Sequence, residues 1–255
     1  MDTMPMSRTT IIAVRLLFFL LLVAAWEVLP RWHLVNPALL PPFGDVLAAL
    51  GKQLARPAVH QAIGVTAAEL AVAFLIAIPL GATLGILAAE NAYFGAVFRP
   101  ILFYVFSIPK SIFLPLFILV LGLGFHQKVA YAVFQMVFIV VISTIAAVES
   151  VNPDHVLVAR SYGANRAQIL RRVYLPSMMP VLLETLRIAI MFDFTGVMIA
   201  EMYASREGLG HLIAGWGENF MLPQLFAGVL LLALTAIALN ETLRFLEKKW
   251  TIWRA

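Results

Sequence analysis

The side chains that most often carry out catalysis are scarce in this sequence and stand far apart. The five histidines fall in loops or at the ends of apolar stretches: His33, His60, His126, His155 and His211. Neither H-E-x-x-H nor G-x-S-x-G occurs, so the motifs of zinc proteases and serine hydrolases are missing. There is no cysteine, which excludes disulfides and thiolate metal sites. We therefore expect no catalytic centre and no metal site in this chain.

Charged and polar side chains inside long apolar stretches are the better candidates for function, because burying an ion in lipid is costly. Arg187 lies about 16 Å along a helix counted from Pro176, and Asp193 follows on the same stretch. A kink at Pro109 would open backbone carbonyls beside Ser107 and Lys110. The functional candidates within the apolar stretches are Ser107, Pro109, Lys110, Arg187 and Asp193.

Each of these candidates also has a structural interpretation. Arg187 can pair with Glu184 three residues earlier, or with Glu69 or Asp193. For Arg187 we favour the structural pair over a functional contact. Lys110 can instead extend its ammonium group to the inner membrane surface. The polar residues that follow the fifth apolar stretch, Glu201, Arg206 and Glu207, are expected in a solvated outer loop, where they are available to a partner.

The composition places these residues in a membrane. Hydrophobic residues make up 62% of the 255 residues and charged residues only 13%, and the mean hydropathy is +0.92. A soluble domain of this size cannot cover so much apolar surface. The net charge of +4 fits the Lys and Arg that accumulate in cytoplasmic loops. The sequence contains no basic stripe with interleaved aromatic residues, so nucleic-acid binding is not predicted.

Windows of about 20 mostly apolar residues predict six transmembrane spans, each helical because backbone groups in lipid must bond within their own segment. The windows are residues 11–29, 64–89, 100–121, 128–148, 177–200 and 223–244. The arginines between residues 160 and 172 place both termini in the cytoplasm, and Lys128 then falls on the outer side. A short helix over residues 45–55 is expected on the outer surface. The sequence thus predicts an all-α polytopic protein with a single transmembrane domain over residues 1–255.

The loop of residues 149–175 has more internal organisation than a connector needs. Asn152 suits an N-cap, with Pro153 at the first helical position. Gly163 then suits the left-handed residue that ends a short helix. Asn165 caps a second helix, in which Ile169 and the arginines occupy different sides. The result is a helix, a glycine break and a helix with a basic rim, suited either to a soluble partner or to anionic lipid headgroups.

The run from Ala159 to Pro176 resembles the cytoplasmic loop signature of binding-protein-dependent ABC importer permeases. That signature reads Glu-Ala-Ala, three residues, Gly, nine residues, Ile, any residue, Leu-Pro. Matching positions are held by Ala159, Gly163, Leu175 and Pro176, whereas Val173 replaces Ile and Leu157 and Val158 replace the Glu and the first Ala. The resemblance implies an ATPase-coupling loop that includes Ala159, Arg160, Ser161, Tyr162, Gly163, Ala164, Asn165, Ile169, Leu175 and Pro176.

Further stretches resemble the nitrate/sulfonate/taurine branch of these permeases, which has the type I importer fold. They are residues 40–47, 107–119 with Gly122 and Gly124, 186–189, 200–202 and 207–210. The resemblance extends from Leu40 to Trp250. It implies a homodimer in a bacterial inner membrane that works with two cytoplasmic ATP-binding-cassette subunits and an external solute-binding protein.

The function implied is import of a small, anionic nutrient of the sulfonate, taurine or nitrate kind. No G-x-x-x-x-G-K-[ST] motif occurs in the sequence, so this chain is expected to bind no cofactor, and ATP and Mg²⁺ are expected in the partner ATPase. An ion-coupled secondary transporter and a membrane-embedded enzyme are the alternatives. Two related halves of the kind common in secondary transporters are not evident here.

Overall fold

The computed structural model describes residues 7–251, and all regular secondary structure within them is helical. The helices are α1 Arg8–Arg31, α2 Phe43–Leu54, α3 Pro57–Glu90, α4 Ala92–Ser107, α5 Leu114–Leu121, α6 Phe125–Glu149, α7 Pro153–Ser161, α8 Arg166–Ile169, α9 Leu175–Ala204, α10 Leu209–Glu218 and α11 Leu222–Thr251. A 3₁₀ segment, Lys110–Phe113, precedes α5, and a π-helical segment, Leu170–Tyr174, joins α8 to α9. The two ends of the predicted domain, residues 1–6 and 252–255, lie outside the described residues.

Four of the described helices, α1, α3, α6 and α11, are long and apolar enough to cross a membrane. The pair α4 and α5 counts as a fifth span if its two bent arms are taken together. α9 coincides with the predicted span of residues 177–200 and is 30 residues long, but it is not among these four. The all-helical, multi-pass prediction is confirmed, whereas the count of six spans is met only in part.

The predicted third span, residues 100–121, is wrong as a single helix. The chain is already helical from Ala92, and it bends by 90° between α4 and the segment that begins at Lys110. The break lies at Ile108, whose backbone is extended (φ −78°, ψ 132°). Proline disfavours helical geometry in the residue before it and has no N–H to donate. Pro109 therefore ends α4 rather than merely kinking a continuous helix.

The described chain divides into two compact units. The smaller contains the residues up to His60 together with Ile213–Leu231. In it, the Trp26 ring lies 5.2 Å from Phe43 and 5.8 Å from Phe226, centroid to centroid, and its indole N–H donates to the Pro41 carbonyl oxygen at 3.1 Å. These contacts hold α2, which forms where the short surface helix was predicted.

The larger unit contains Gln61–Leu212 and the residues from Leu232 onward. Its core is built from small and branched side chains of α3, α6 and α9. Ala77, Met136, Val140 and Ala189 form one buried cluster of this core. Gly196 of α9 lies so close to α6 that a Cβ there would be 3.0 Å from the Ala132 Cα. The charged residues of α9 are thus held at fixed positions by backbone-to-backbone packing.

Gly81 of α3 is a position of close packing against α6, where substitution is expected to be poorly tolerated. A Cβ at Gly81 would lie 2.7 Å from both Cβ and Cγ1 of Val140, whereas a Cβ at Gly64 of the same helix meets nothing within 4 Å. Gly81→Ala should cost about 1–3 kcal/mol through overpacking and lower the melting temperature in detergent by roughly 5 °C. Gly64→Ala should leave it unchanged or slightly raised. Equal melting temperatures for the two variants would contradict this packing.

Candidate functional site

The first candidate site is the elbow, defined here as residues 153–169, and its first helix is capped at both ends. The Asn152 side chain accepts the Asp154 backbone N–H at 2.9 Å, and Pro153 occupies the first turn of α7. At the other end the Gly163 N–H donates to the Arg160 carbonyl at 2.9 Å and the Ala164 N–H to the Ala159 carbonyl at 3.1 Å. This pair of bonds is a Schellman motif, the commonest glycine-dependent helix ending.

Gly163 has a φ of +77°, the left-handed conformation that its position in the motif requires. The chain then restarts as a helix at once, because Asn165 and Gln168 form a capping box. The Gln168 side chain accepts the Asn165 N–H at 2.8 Å, and the Asn165 side chain accepts the Gln168 N–H at 2.9 Å. The predicted helix, glycine break and second helix are all present. The elbow is therefore rigid on both sides of its turn.

The second helix of the elbow, α8, is continuous with the helix of the fifth span, α9. It passes through the π-helical segment into α9, and Pro176 lies in the first turn of α9, where its missing N–H is tolerated. Ile169 is buried against Val156 and Met178, and Leu175 is half-buried. These inward-facing residues hold the elbow against the helices. Movement of the elbow and of α9 is thereby linked through continuous helical backbone.

The outer face of the elbow is exposed and mixed in character. Leu157 and Val158 are 64% and 55% exposed and Tyr162 is 88% exposed, and beside them Arg160, Ser161 and the later arginines are exposed, Arg166 among them. An exposed apolar and aromatic patch with a basic rim is typical of a protein contact surface. Ala159 and Ala164 are half-buried beneath it.

The second candidate site is the bend between α4 and α5. Ser107 and Pro109 are exposed there, and the Ser107 hydroxyl donates to the Phe103 carbonyl at 2.8 Å. The Lys110 ammonium nitrogen lies 4.2 Å from the Phe106 ring centroid and 3.4 Å from the Phe106 carbonyl oxygen. Lys110 is thus folded back over the bend by a cation–π contact.

Two charged residues were predicted within the fifth span, and they differ in exposure and in their partners. Arg187 is partly exposed, and its Nη2 atom lies 4.0 Å from Oε1 of Glu184, the first of its expected partners. Asp193 is fully buried, and neither of its carboxylate oxygens has a hydrogen-bond partner among the described residues. The proposed pairing of Arg187 with Glu69 is wrong, because Glu69 forms an ion pair with Lys128.

A third cluster, which the sequence did not predict, brings three buried charges together in the larger unit. We call it the buried charge cluster: Glu69 of α3, Lys128 of α6 and Glu201 of α9. The Lys128 ammonium pairs with Glu69 and donates to the Ser205 hydroxyl at 3.0 Å. The expectation that Glu201 is solvated is wrong, since Glu201 is 0% exposed, and Lys128, which was placed on the outer side, is itself buried at 2% exposure.

The Glu201 carboxylate fixes the chain that follows α9. It accepts the Thr66 hydroxyl at 2.7 Å and the Gly210 backbone N–H at 2.6 Å, while the Leu209 N–H donates to the Thr66 hydroxyl oxygen at 2.9 Å. Hydrogen bonds to an ionised acceptor are about twice as strong as neutral ones. A signal for this cluster existed, because Glu69 stood inside the predicted second span and an ion there needs a counter-charge.

These arrangements are suited to binding and movement. No group of three His, Asp or Glu residues that could hold a metal ion occurs within residues 7–251. The chain instead presents a rigid exposed elbow, a sharply bent apolar helix pair and a buried acid, Asp193. None of these features is diagnostic alone.

Comparison with known proteins gives the elbow its context. Residues 81–249, which include the elbow, match the family described as binding-protein-dependent transport system inner membrane component. This chain belongs to that family. The chain is therefore the permease of an ABC importer, a transport subunit rather than an enzyme, and a multi-pass membrane protein. This outcome sets aside the ion-coupled transporter and the membrane-embedded enzyme.

Relatives match the permease over nearly its whole length. The taurine transport system permease protein TauC of Escherichia coli (strain K12) is 31% identical over 98% of this chain and 92% of its own. The formylaminopyrimidine transport permease protein ThiX of Halalkalibacterium halodurans is 28% identical over 93% and 94%. A crystal structure of a bacterial alginate ABC transporter with its pentasaccharide-bound periplasmic protein shares the fold, with a TM-score of 0.70 at 14% identity over 96% and 94% of the two chains. The predicted membership of the sulfonate/taurine branch is confirmed.

Proposed function

We propose that this permease imports a small, anionic nutrient of the sulfonate, taurine or nitrate kind, delivered by an external solute-binding protein. The elbow is the observation that supports coupling of this import to a cytoplasmic ATPase. Its capped turn holds Leu157, Val158 and Tyr162 at the surface. The name of TauC, which specifies taurine, supports the substrate class. The structure that contains a periplasmic protein supports the external partner.

In this proposal the elbow sits in a groove of a cytoplasmic ATP-binding-cassette subunit. ATP and Mg²⁺ bind in that partner, and this chain binds no cofactor. Closure of the ATPase subunits moves the elbow, and the continuous helix from Arg166 into α9 carries the movement into the membrane. The basic rim complements an acidic groove. The same rim would lie near anionic headgroups, which would strengthen the contact at the membrane surface.

Two copies of this chain with two ATPase subunits form the proposed transporter in a bacterial inner membrane. The exposed face of α5, with Leu119 82% and Val120 70% exposed, offers apolar surface for the second copy. We place six spans in each copy, counting α9 and the bent pair, with both termini in the cytoplasm. The arginine-rich elbow then lies on the cytoplasmic side, as the distribution of positive charge favours.

The translocation pathway is proposed to run past the bend and α9. Ser107 and Pro109 expose polar and irregular backbone at the bend, and Lys110 adds a positive charge near it that favours an anionic solute. Asp193 contributes the buried acid of α9. Arg187 is assigned chiefly to its contact with Glu184.

The elbow is tested by two substitutions at one glycine. A Cβ at Gly163 would meet nothing within 4 Å, so only the positive φ resists substitution. Gly163→Val should cost about 1–3 kcal/mol, because a β-branched residue there is strained. Gly163→Asn should be tolerated, since asparagine adopts this conformation readily.

The measurement is purification of the tagged chain from its native host in mild detergent, with identification of the proteins that accompany it and assay of ATP hydrolysis. Gly163→Val should reduce both the co-purified ATPase and the hydrolysis by about tenfold, and Gly163→Asn should leave both near the wild-type level. Absence of any ATPase from the wild-type preparation would refute the proposed partnership. Equal recovery with both variants would refute the role of the elbow alone.

A further inference from the structure

A cavity of about 300 Å³ lies in the larger unit between α3, α9 and α11. We call it the Asp193 cavity. Its walls include Thr66 and Phe74 of α3, Asp193 and Phe194 of α9 and Leu239 of α11. Apolar side chains make up most of the remaining wall, and none of its lining residues is positively charged. The volume is at the lower end of the range for small-molecule sites, which begins at about 300 Å³.

Asp193 is the unsatisfied group of this cavity. It is fully buried, and no described residue donates a hydrogen bond to either of its oxygens. Thr66 cannot satisfy it, because the Thr66 hydroxyl already donates to Glu201 and accepts from the Leu209 N–H. A buried carboxylate without a partner is costly. A ligand with suitable donors would recover this free energy on entering the cavity.

The lining selects the charge of such a ligand. An anion would be repelled by Asp193 and would find no positive side chain in the wall. A cationic nitrogen would be attracted by the carboxylate and by the faces of aromatic rings, which Phe74 and Phe194 supply. We infer that the Asp193 cavity binds a small, mostly apolar molecule that carries a protonated amine or amidine, with its N–H groups donated to the Asp193 carboxylate.

The consequence for the imported nutrient rests on the proposed function. If the solute passes through the Asp193 cavity, it carries a protonated nitrogen in addition to its acidic group. A zwitterion then meets both the positive charge of Lys110 at the bend and the negative charge of Asp193. Nitrate and sulfonates without an amino group do not meet this requirement.

Three probes of nearly equal size and shape test the inference: benzylamine, which is cationic at pH 7, benzyl alcohol, which is neutral, and benzoate, which is anionic. Their binding to the detergent-purified permease with its co-purified partners would be measured by ligand-observed NMR and by the rise in melting temperature. Benzylamine should bind at least tenfold more tightly than benzyl alcohol, and benzoate should not bind. Equal binding of benzylamine and benzyl alcohol, or tighter binding of benzoate, would overturn the inference without any variant being made.

Asp193→Asn adds a second criterion. It should lower the affinity for benzylamine about tenfold and leave that for benzyl alcohol unchanged. Asp45→Asn is the matched control, because it makes the same chemical change at an exposed residue of α2 and should alter neither. Undiminished benzylamine binding in Asp193→Asn would overturn the inference. Co-purification of the ATPase reports on the proposed function independently, so the two ideas can fail separately.

Discussion

Replacing Lys128 by methionine is expected to destabilise the protein more than any other single change to a charged residue described here. Lys128 is the cation of the buried charge cluster, and its removal leaves Glu69 and Glu201, both 0% exposed, without a counter-charge. Glu69 has no other hydrogen-bond partner among the described residues. Breaking a buried ion pair by removing one partner costs about 3–5 kcal/mol. The melting temperature in detergent should fall by roughly 10 °C.

The control is the same substitution in a chain that also carries Glu69→Leu. This double variant removes both members of the pair, and replacing a whole buried pair by apolar groups is often neutral. Glu201 keeps its bonds to the Thr66 hydroxyl and the Gly210 N–H in that background. The double variant should recover most of the lost melting temperature. A double variant no more stable than Lys128→Met would show that the ion pair is not what holds the cluster.

The features that could be predicted from the sequence are those whose causes are local. The apolar windows gave most of the long helices, because each window must satisfy its own backbone in lipid. The elbow was also predictable, since the Asn152 cap, the Gly163 turn and the Asn165 cap each depend on hydrogen bonds that span at most five positions of the chain. Family resemblance then supplied what local chemistry could not, namely that such an elbow belongs to an ABC importer permease.

The buried charge cluster could not be predicted in the same way. Its hydrogen bond from Thr66 to Glu201 joins residues 135 positions apart, and nothing in either local sequence selects the other. Glu69 signalled that a cation was needed, but several were available. Lys128 was counted among the positive charges of the outer side because it stands at the edge of an apolar window, whereas α6 begins three residues earlier and holds it in a buried position.

The prediction of the third span as a single helix was wrong for a related reason. The predicted window began at residue 100, directly after the charged Arg99, but Arg99 lies inside α4. Its guanidinium donates to the Ala88 carbonyl at 3.0 Å and pairs with Glu149. A partly buried arginine that binds the end of one helix and the end of another is compatible with continuous helix around it. These contacts of Arg99 join distant parts of the sequence, so they could be recognised only from the tertiary structure.

Gly208→Ala is the second substitution for which a large effect is expected. Gly208 has a φ of +102°, and a Cβ there would overlap the Glu201 carboxylate. The alanine therefore meets a strained backbone, at about 1–3 kcal/mol, and displaces a buried ionised acceptor of two hydrogen bonds. We expect a total loss of about 3–5 kcal/mol and a melting temperature lower by roughly 10 °C. Gly215→Ala in α10, where a Cβ meets nothing within 4 Å, should have little effect.

A double-mutant cycle separates the two causes of this loss. If Gly208 is required because it leaves room for the Glu201 carboxylate, then Gly208→Ala should cost much less in a Glu201→Ala background than in the wild type. If the positive φ alone requires glycine, the two substitutions should be additive. The first result would mean that Gly208 serves the buried charge cluster directly. Glu201 would then be the residue that ties α9, the helix continuous with the elbow, to the start of α10, and the stability of that connection would depend on a single buried carboxylate.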